Sequence, residues 1–197
     1  MNRIYQPLSN RPLVAGARFQ EPAMQRERVR LDAPALDVMT DLCMIPAATI
    51  DAEAPLDAAN RFMIRRGVRL LLVTDDGRQV LGLITATDVL GERPVKFAVE
   101  RDVSRQDILV RDIMTPRERL EVLWYSDLIA AEVGHVVATL RYAGRQHALV
   151  AEPGPNGIGQ TVRGIFSLSQ IARQLGVSIP STEIASTFAE IEAALGS

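Results

Sequence analysis

Two stretches of the chain carry the same order of apolar and polar positions. In the first, Leu56, Ala59, Phe62 and Met63 fall at helical spacing and Gly67 supplies a stop. An apolar run over Arg69–Thr74 reads as a strand, Asp75-Asp76-Gly77 as a turn, and Val80–Ile84 as the returning strand of a hairpin. Thr85-Ala86-Thr87-Asp88 then reads as a helix start. In the second stretch Ile129, Val133, Val136, Val137 and Leu140 predict the helix, with Asp127 as its cap and Gly144 as its stop. His147–Ala151 and Val162–Phe166 predict the strands, and Ser167-Leu168-Ser169-Gln170 the next helix start. The strands are continuous apolar runs without strict alternation, which predicts that both of their faces are covered.

The likeness extends to particular residues. Asp37-Val38-Met39-Thr40 returns as Asp112-Ile113-Met114-Thr115, an offset of 75. Gly67 returns as Gly144 at 77, and Gly82-Leu83-Ile84-Thr85 as Gly164-Ile165-Phe166-Ser167 at 82. Order is preserved, and the growing offset places extra residues in the Gly- and Pro-rich stretch 152–159, where a hairpin loop tolerates them. A unit of about 60 residues is marginal alone, which gives a physical reason for two of them to share a core.

The order helix, strand, Asp-Gly turn, strand, Gly-h-h-Thr-x-x-Asp (h apolar), helix resembles the cystathionine beta-synthase (CBS) domain. Two in tandem resemble the Bateman module. The resemblance covers about residues 36–178 and implies an α/β (α+β) fold: two repeats, each a small, mostly antiparallel sheet with flanking helices, packed sheet to sheet with pseudo-symmetry. The domain organisation expected is a basic, partly extended arm over 1–35, repeat one over 36–95, a connecting helix over 96–110, repeat two over 111–178, and an amphipathic C-terminal helix over 179–197.

The resemblance also implies a ligand, an adenine nucleotide such as AMP, ADP or ATP, with AMP foremost. Thr85 matches the family position that contacts phosphate and Asp88 the one that binds the ribose hydroxyls. Arg69 matches a basic residue that reaches phosphate, and Ile45, Pro46 and Ala47 the adenine contacts. The chemistry of these groups agrees: a carboxylate one turn past a hydroxyl accepts from a cis-diol, and a guanidinium donates several hydrogen bonds to one phosphate. In the bland alternative, Thr85 and Asp88 only cap their helix. Copy two departs from the pattern, with Gln170 in the place of the acid while Ser167 keeps the hydroxyl. Gln146 stands at the position of Arg69, and His147 lies beside this second cleft. One good site in copy one and a weaker one in copy two are therefore expected.

Composition narrows the function. Aromatics make up 5% of the 197 residues, too few for a stacking surface on single strands, so nucleic acid is not the expected partner. The first 30 residues hold six arginines against two acids, leaving about −6 for the rest of a chain of net charge −2. Cys43 stands alone, which rules out an internal disulfide and a cysteine metal site. No window reaches the ~18 apolar residues of a membrane span, and no signal-peptide core is visible, so the cytoplasm is the expected compartment. No phosphate-cradling loop, nucleophile elbow or metal constellation is seen, so no enzyme and no catalytic cofactor are expected. The expected function is a stand-alone regulatory module that binds a small-molecule nucleotide and signals through a homodimer or a regulated partner protein. The alternative is an interaction scaffold with vestigial clefts.

Overall fold

Two strands apolar on both faces decide the architecture. In the computed structural model, which describes residues 28–177 together with Pro12, Val14, Ala15 and Ala17, the elements are β1 (Thr40–Asp41), β2 (Thr49–Asp51), α1 (Leu56–Arg66), β3 (Leu70–Thr74), β4 (Val80–Thr85), α2 (Ala86–Leu90), α3 (Arg93–Arg101) and α4 (Val110–Ile113). There follow β5 (Thr115–Pro116), β6 (Val122–Trp124), α5 (Tyr125–Leu128), α6 (Val133–Tyr142), β7 (His147–Pro153), β8 (Gln160–Ser167) and α7 (Leu168–Leu175). The expected C-terminal helix over 179–197, and the arm before residue 28, lie outside the described residues.

On β3, Leu71 and Val73 face the helices of copy one, while Leu70 and Leu72 face the other way. On β7, Val150 faces the helices of copy two and Leu149 meets Leu70 and Leu72. The result is a layered stack: helices, sheet, sheet, helices. Each buried Leu or Val side chain in these layers contributes about 1.5–3 kcal/mol relative to its exposed state. The sheets are four-stranded, in the orders β2-β3-β4-β5 and β1-β8-β7-β6. In each, two pairings are antiparallel and one parallel, β2 with β3 and β6 with β7. This is the mixed α/β, two-sheet fold expected from the repeat.

The sheets also exchange edges. Strand β1, which begins at the Thr of the Asp-x-Met-Thr motif of copy one, pairs with β8 of copy two. Strand β5, which begins at the Thr of the same motif in copy two, pairs with β4 of copy one. Arg163 on β8 fastens the first exchange through an ion pair with Asp41 and stacks 5.1 Å over the Tyr125 ring. The exchange explains the repeated glycines. A side chain at Gly82 would stand 2.4 Å from the Thr115 carbonyl oxygen and 3.1 Å from Met114 Sδ. One at Gly164 would stand 2.4 Å from Met39 Sδ. Each glycine is thus the floor on which the other copy's motif methionine lies.

The segments between copies follow the same reciprocity. Residues 28–35 run along copy two: the Val29 N–H donates to the Gln174 carbonyl at 3.0 Å and the Ala35 N–H to that of Ala131 at 2.8 Å. Residues 105–113 run along copy one, where the Leu56 N–H donates to the Ile108 carbonyl and the Val110 N–H to that of Ala54, both at 2.9 Å. The link between copies is α-helical over α3, with one 3-10 turn following at Arg105–Asp107. That helix closes at Asp102 with φ of +52°, and fully buried Ile108 lies beyond it in the copy-one core.

Local expectations hold with one correction. Helix α1 buries Leu56, Ala59 and Met63 and ends at Gly67, whose φ is +64°. The Asp75–Gln79 turn closes through the Arg78 N–H to the Asp75 carbonyl at 3.0 Å. The second helix, however, does not start at Asp127, which lies within the short α5, and Ile129 is exposed outside it. It starts after Glu132, whose N–H donates to His135 Nδ1 at 3.1 Å, because the Pro34–Glu132 bridge to the residue 28–35 segment fixes the chain there.

Candidate functional site

The exchange of edges creates two clefts at the junction of the copies. In each, the loop leading out of one copy's motif faces the helix start of the other. Of these two the larger encloses about 440 Å³ and the smaller about 270 Å³; a wider opening of about 1100 Å³ lies between the two sheets, beside Leu72, Val80, Leu149 and Val162.

The larger cleft is walled by Ile45, Pro46, Ala47 and Val68, and Arg69 enters it from the start of β3. From copy two come Gln146, His147, Ser167, Ser169, Gln170 and Arg173. No Asp or Glu among the described residues lines it. Among the described residues Arg69 forms no ion pair. Ser167 Oγ lies 3.1 Å from Ser169 Oγ.

The smaller cleft contains Thr85, Thr87 and Asp88 of copy one, facing Arg119, Glu121, Arg145, Gln146 and His147 of copy two. Here the carboxylate is already engaged. Asp88 Oδ2 accepts from the Thr85 N–H at 2.9 Å and from the Thr85 hydroxyl at 2.7 Å, while Asp88 Oδ1 accepts from Arg93 Nη1 at 2.6 Å. The Asp88 N–H returns a bond to Thr85 Oγ1 at 3.2 Å, closing a capping box on α2. This is the set of bonds that a purely capping pair makes.

The six residues expected to share one site are therefore divided. Arg69, Ile45, Pro46 and Ala47 line the larger cleft with Ser167 and Gln170, whereas Thr85 and Asp88 line the smaller one. The cause is topological: β1 leaves copy one for the sheet of copy two, so the loop that follows it, Ile45–Ala47, meets the helix start of α7. Leu120-Glu121, which follows β5, correspondingly meets Thr85 and Asp88. The offset of 75 between the motifs maps Ile45-Pro46 onto Leu120-Glu121, the signal in the sequence for this second wall. Arg173 and Arg93 were not singled out by any motif.

His147 belongs to both clefts. Burial lowers its pKa, the Arg69 cation lowers it further, and the Asp88 carboxylate opposes them, leaving it at about 4. The imidazole is thus neutral at pH 7, and it feels a charge from each cleft.

Comparison with known proteins bears on this geometry. Residues 35–94 match the family model of the CBS domain. Residues 35–94 form a CBS domain. Over the described residues 28–177 the chain has the fold of a tandem CBS pair. An uncharacterized conserved protein from Pyrococcus horikoshii superposes with a TM-score of 0.54 at 21% identity, over 78% of this chain and 100% of its own. CBSX2, solved in complex with AMP, gives 0.51 at 18% identity, over 72% of this chain and 94% of its own. The CBS domain pair of protein MJ0100, in complex with 5′-methylthioadenosine and S-adenosyl-L-methionine, gives 0.51 at 18%, over 73% of this chain and 96% of its own. A search of curated protein sequences finds no match. No helix among the described residues is long and apolar enough to cross a membrane.

Proposed function

We propose that this CBS pair is a regulatory module that binds an adenine nucleotide in the larger cleft and passes the occupied state to a partner protein or a second copy of itself. The carrying observation is the convergence of an apolar wall (Ile45, Pro46, Ala47, Val68), two hydroxyls (Ser167, Ser169) and the Arg69 guanidinium on a cleft of about 440 Å³ without a carboxylate. That volume lies within the usual range of small-molecule sites. The apolar wall suits a purine ring and the guanidinium suits phosphate, since its fork donates several bonds to one anion. Neighbours of the same fold that hold AMP, or 5′-methylthioadenosine and S-adenosyl-L-methionine, support an adenosine-type ligand, with AMP foremost. The smaller cleft is the second site, and a ribose diol entering it competes with Arg93 and Thr85 for Asp88.

The module acts without catalysis of its own. A ligand that prefers one of two arrangements of the paired copies shifts their balance, and an interface reads the shift. Exposed Ile64 on α1, Leu90 on α2, and Val95 and Val99 on α3 support self-association through the helices of copy one.

One observation favours a second reading, that of an interaction scaffold: both oxygens of Asp88, the only acid of the two helix starts, are bonded within the protein. Thermal shift and calorimetry with AMP, ADP, ATP and S-adenosylmethionine separate the two. The module reading expects stabilisation by at least one of them, weakened about tenfold or more in Arg69→Ala by loss of a charge-assisted contact. No shift with any of the four leaves the scaffold.

A further inference from the structure

The two clefts differ at one chemical position. Three residues past the hydroxyl at the helix start stands Asp88 in the smaller cleft and Gln170 in the larger. Unlike Asp88, Gln170 does not turn back to cap its own helix, and the N-cap Ser167 makes no side-chain cap bond. Gln170 Oε1 instead accepts from the Thr40 hydroxyl at 3.3 Å. With the carbonyl end engaged, the amide end, with two N–H donors, remains for a ligand.

One turn further along α7, Arg173 lines the same cleft. Its Nε donates to the Ser169 carbonyl at 3.3 Å, which anchors the stem, and its terminal nitrogens meet no acceptor among the described residues. Arg69 and Arg173 thus reach one cleft from different copies, and among the described residues no carboxylate there balances either. A ribose with a free 2′,3′-diol calls for an acceptor at its edge. Where an arginine replaces the acid, a phosphate on that edge is accommodated instead. A nucleotide with a single phosphate matches one guanidinium and leaves the other unanswered; two separated phosphates match both.

We propose that the larger cleft selects nucleotides that carry a phosphate on the 2′ or 3′ oxygen of the ribose over nucleotides with a free cis-diol. Gln170 and Arg173 hold that phosphate, and Arg69 holds the one at the other end of the ligand. The inference rests on the nucleotide-binding reading above. A terminal phosphate monoester and a bridging 3′,5′-diester share this chemistry, and the test distinguishes them.

The test is calorimetry of the full chain with AMP, adenosine 2′,5′-bisphosphate, adenosine 3′,5′-bisphosphate and cyclic di-AMP. At least one of the last three binds about tenfold or more tightly than AMP, the gain of one charge-assisted phosphate contact. Preference for a bisphosphate assigns the monoester, and preference for the cyclic compound assigns the diester. Gln170→Asp reverses the preference in favour of AMP by placing a carboxylate against the added phosphate. Arg173→Ala abolishes the preference for the added phosphate; thermal melts confirm that both variants fold. AMP binding as tightly as the other three overturns the proposal and leaves the nucleotide reading in place. Absence of binding by all four overturns both.

Discussion

Arg93 holds one oxygen of the Asp88 carboxylate at 2.6 Å while the hydroxyl and N–H of Thr85 hold the other at 2.7 and 2.9 Å. Asp88 is thereby a structural anchor of α2 before any ligand arrives. Its side chain is only 15% exposed, so the anchor is largely shielded from water.

Asp88→Ala is accordingly expected to lower stability by about 1 kcal/mol, the usual value of a helix cap. Nucleotide affinity at the larger cleft should remain within about twofold, since the residue does not line it. Denaturant unfolding and calorimetry on one preparation measure both. A loss of binding beyond tenfold would move the principal site to the smaller cleft.

The two repeat glycines should respond unequally to the same change. Alanine at Gly82 meets the Thr115 backbone oxygen at 2.4 Å, whereas at Gly164 it meets the flexible Met39 side chain. Gly82→Ala is expected to cost about 1–3 kcal/mol, within the range for overpacking, and Gly164→Ala clearly less. Thermal melts of the pair check the order. Met39→Ala combined with Gly164→Ala should recover part of the smaller loss.

His147 predicts how stability depends on pH. Its folded pKa of about 4, lowered by burial and then by Arg69, lies below the value near 6.5 of an unfolded histidine. Between these values the unfolded chain binds more protons, so stability is complete above about pH 7 and declines as pH falls toward 4. The decline is on the order of 2–3 kcal/mol for this one group. His147→Gln should flatten the curve over that interval. Asp41, held below the usual carboxylate range by the Cys43 N–H and then by Arg163, acts only at lower pH. Urea titrations at intervals from pH 7.5 to pH 4.5 read the slope.

Much of this was legible in the sequence, and the reason is local. Leu56, Ala59 and Met63 mark α1 because helical spacing is a property of neighbours along the chain. Continuous apolar runs at β3 and β7 mark strands covered on both faces for the same reason. Thr85 and Asp88 mark a helix start, and their mutual bonds are the local solution to its free N–H groups. The edge exchange was not legible. Strands β1 and β5 are two residues each, too short to show a period, and their partners lie far along the chain. That omission divided the expected site, because pairing at Thr40 and Asp41 decides which helix start faces Ile45–Ala47. The start of α6 was likewise set by a distant segment, through Pro34 and Glu132.

The exchanged edges make the duplication irreversible. A cut after Asp102 would leave an amino-terminal piece whose β4 has lost its neighbour β5, and whose core lacks Ile108, Val110 and Ile113. The carboxyl-terminal piece would lose β1, and with it the Val38 side chain of its own core. Neither piece retains a complete sheet and core, yet each holds the missing part of the other. Such fragments would recombine with one another rather than fold apart, and the intact chain should unfold in a single step.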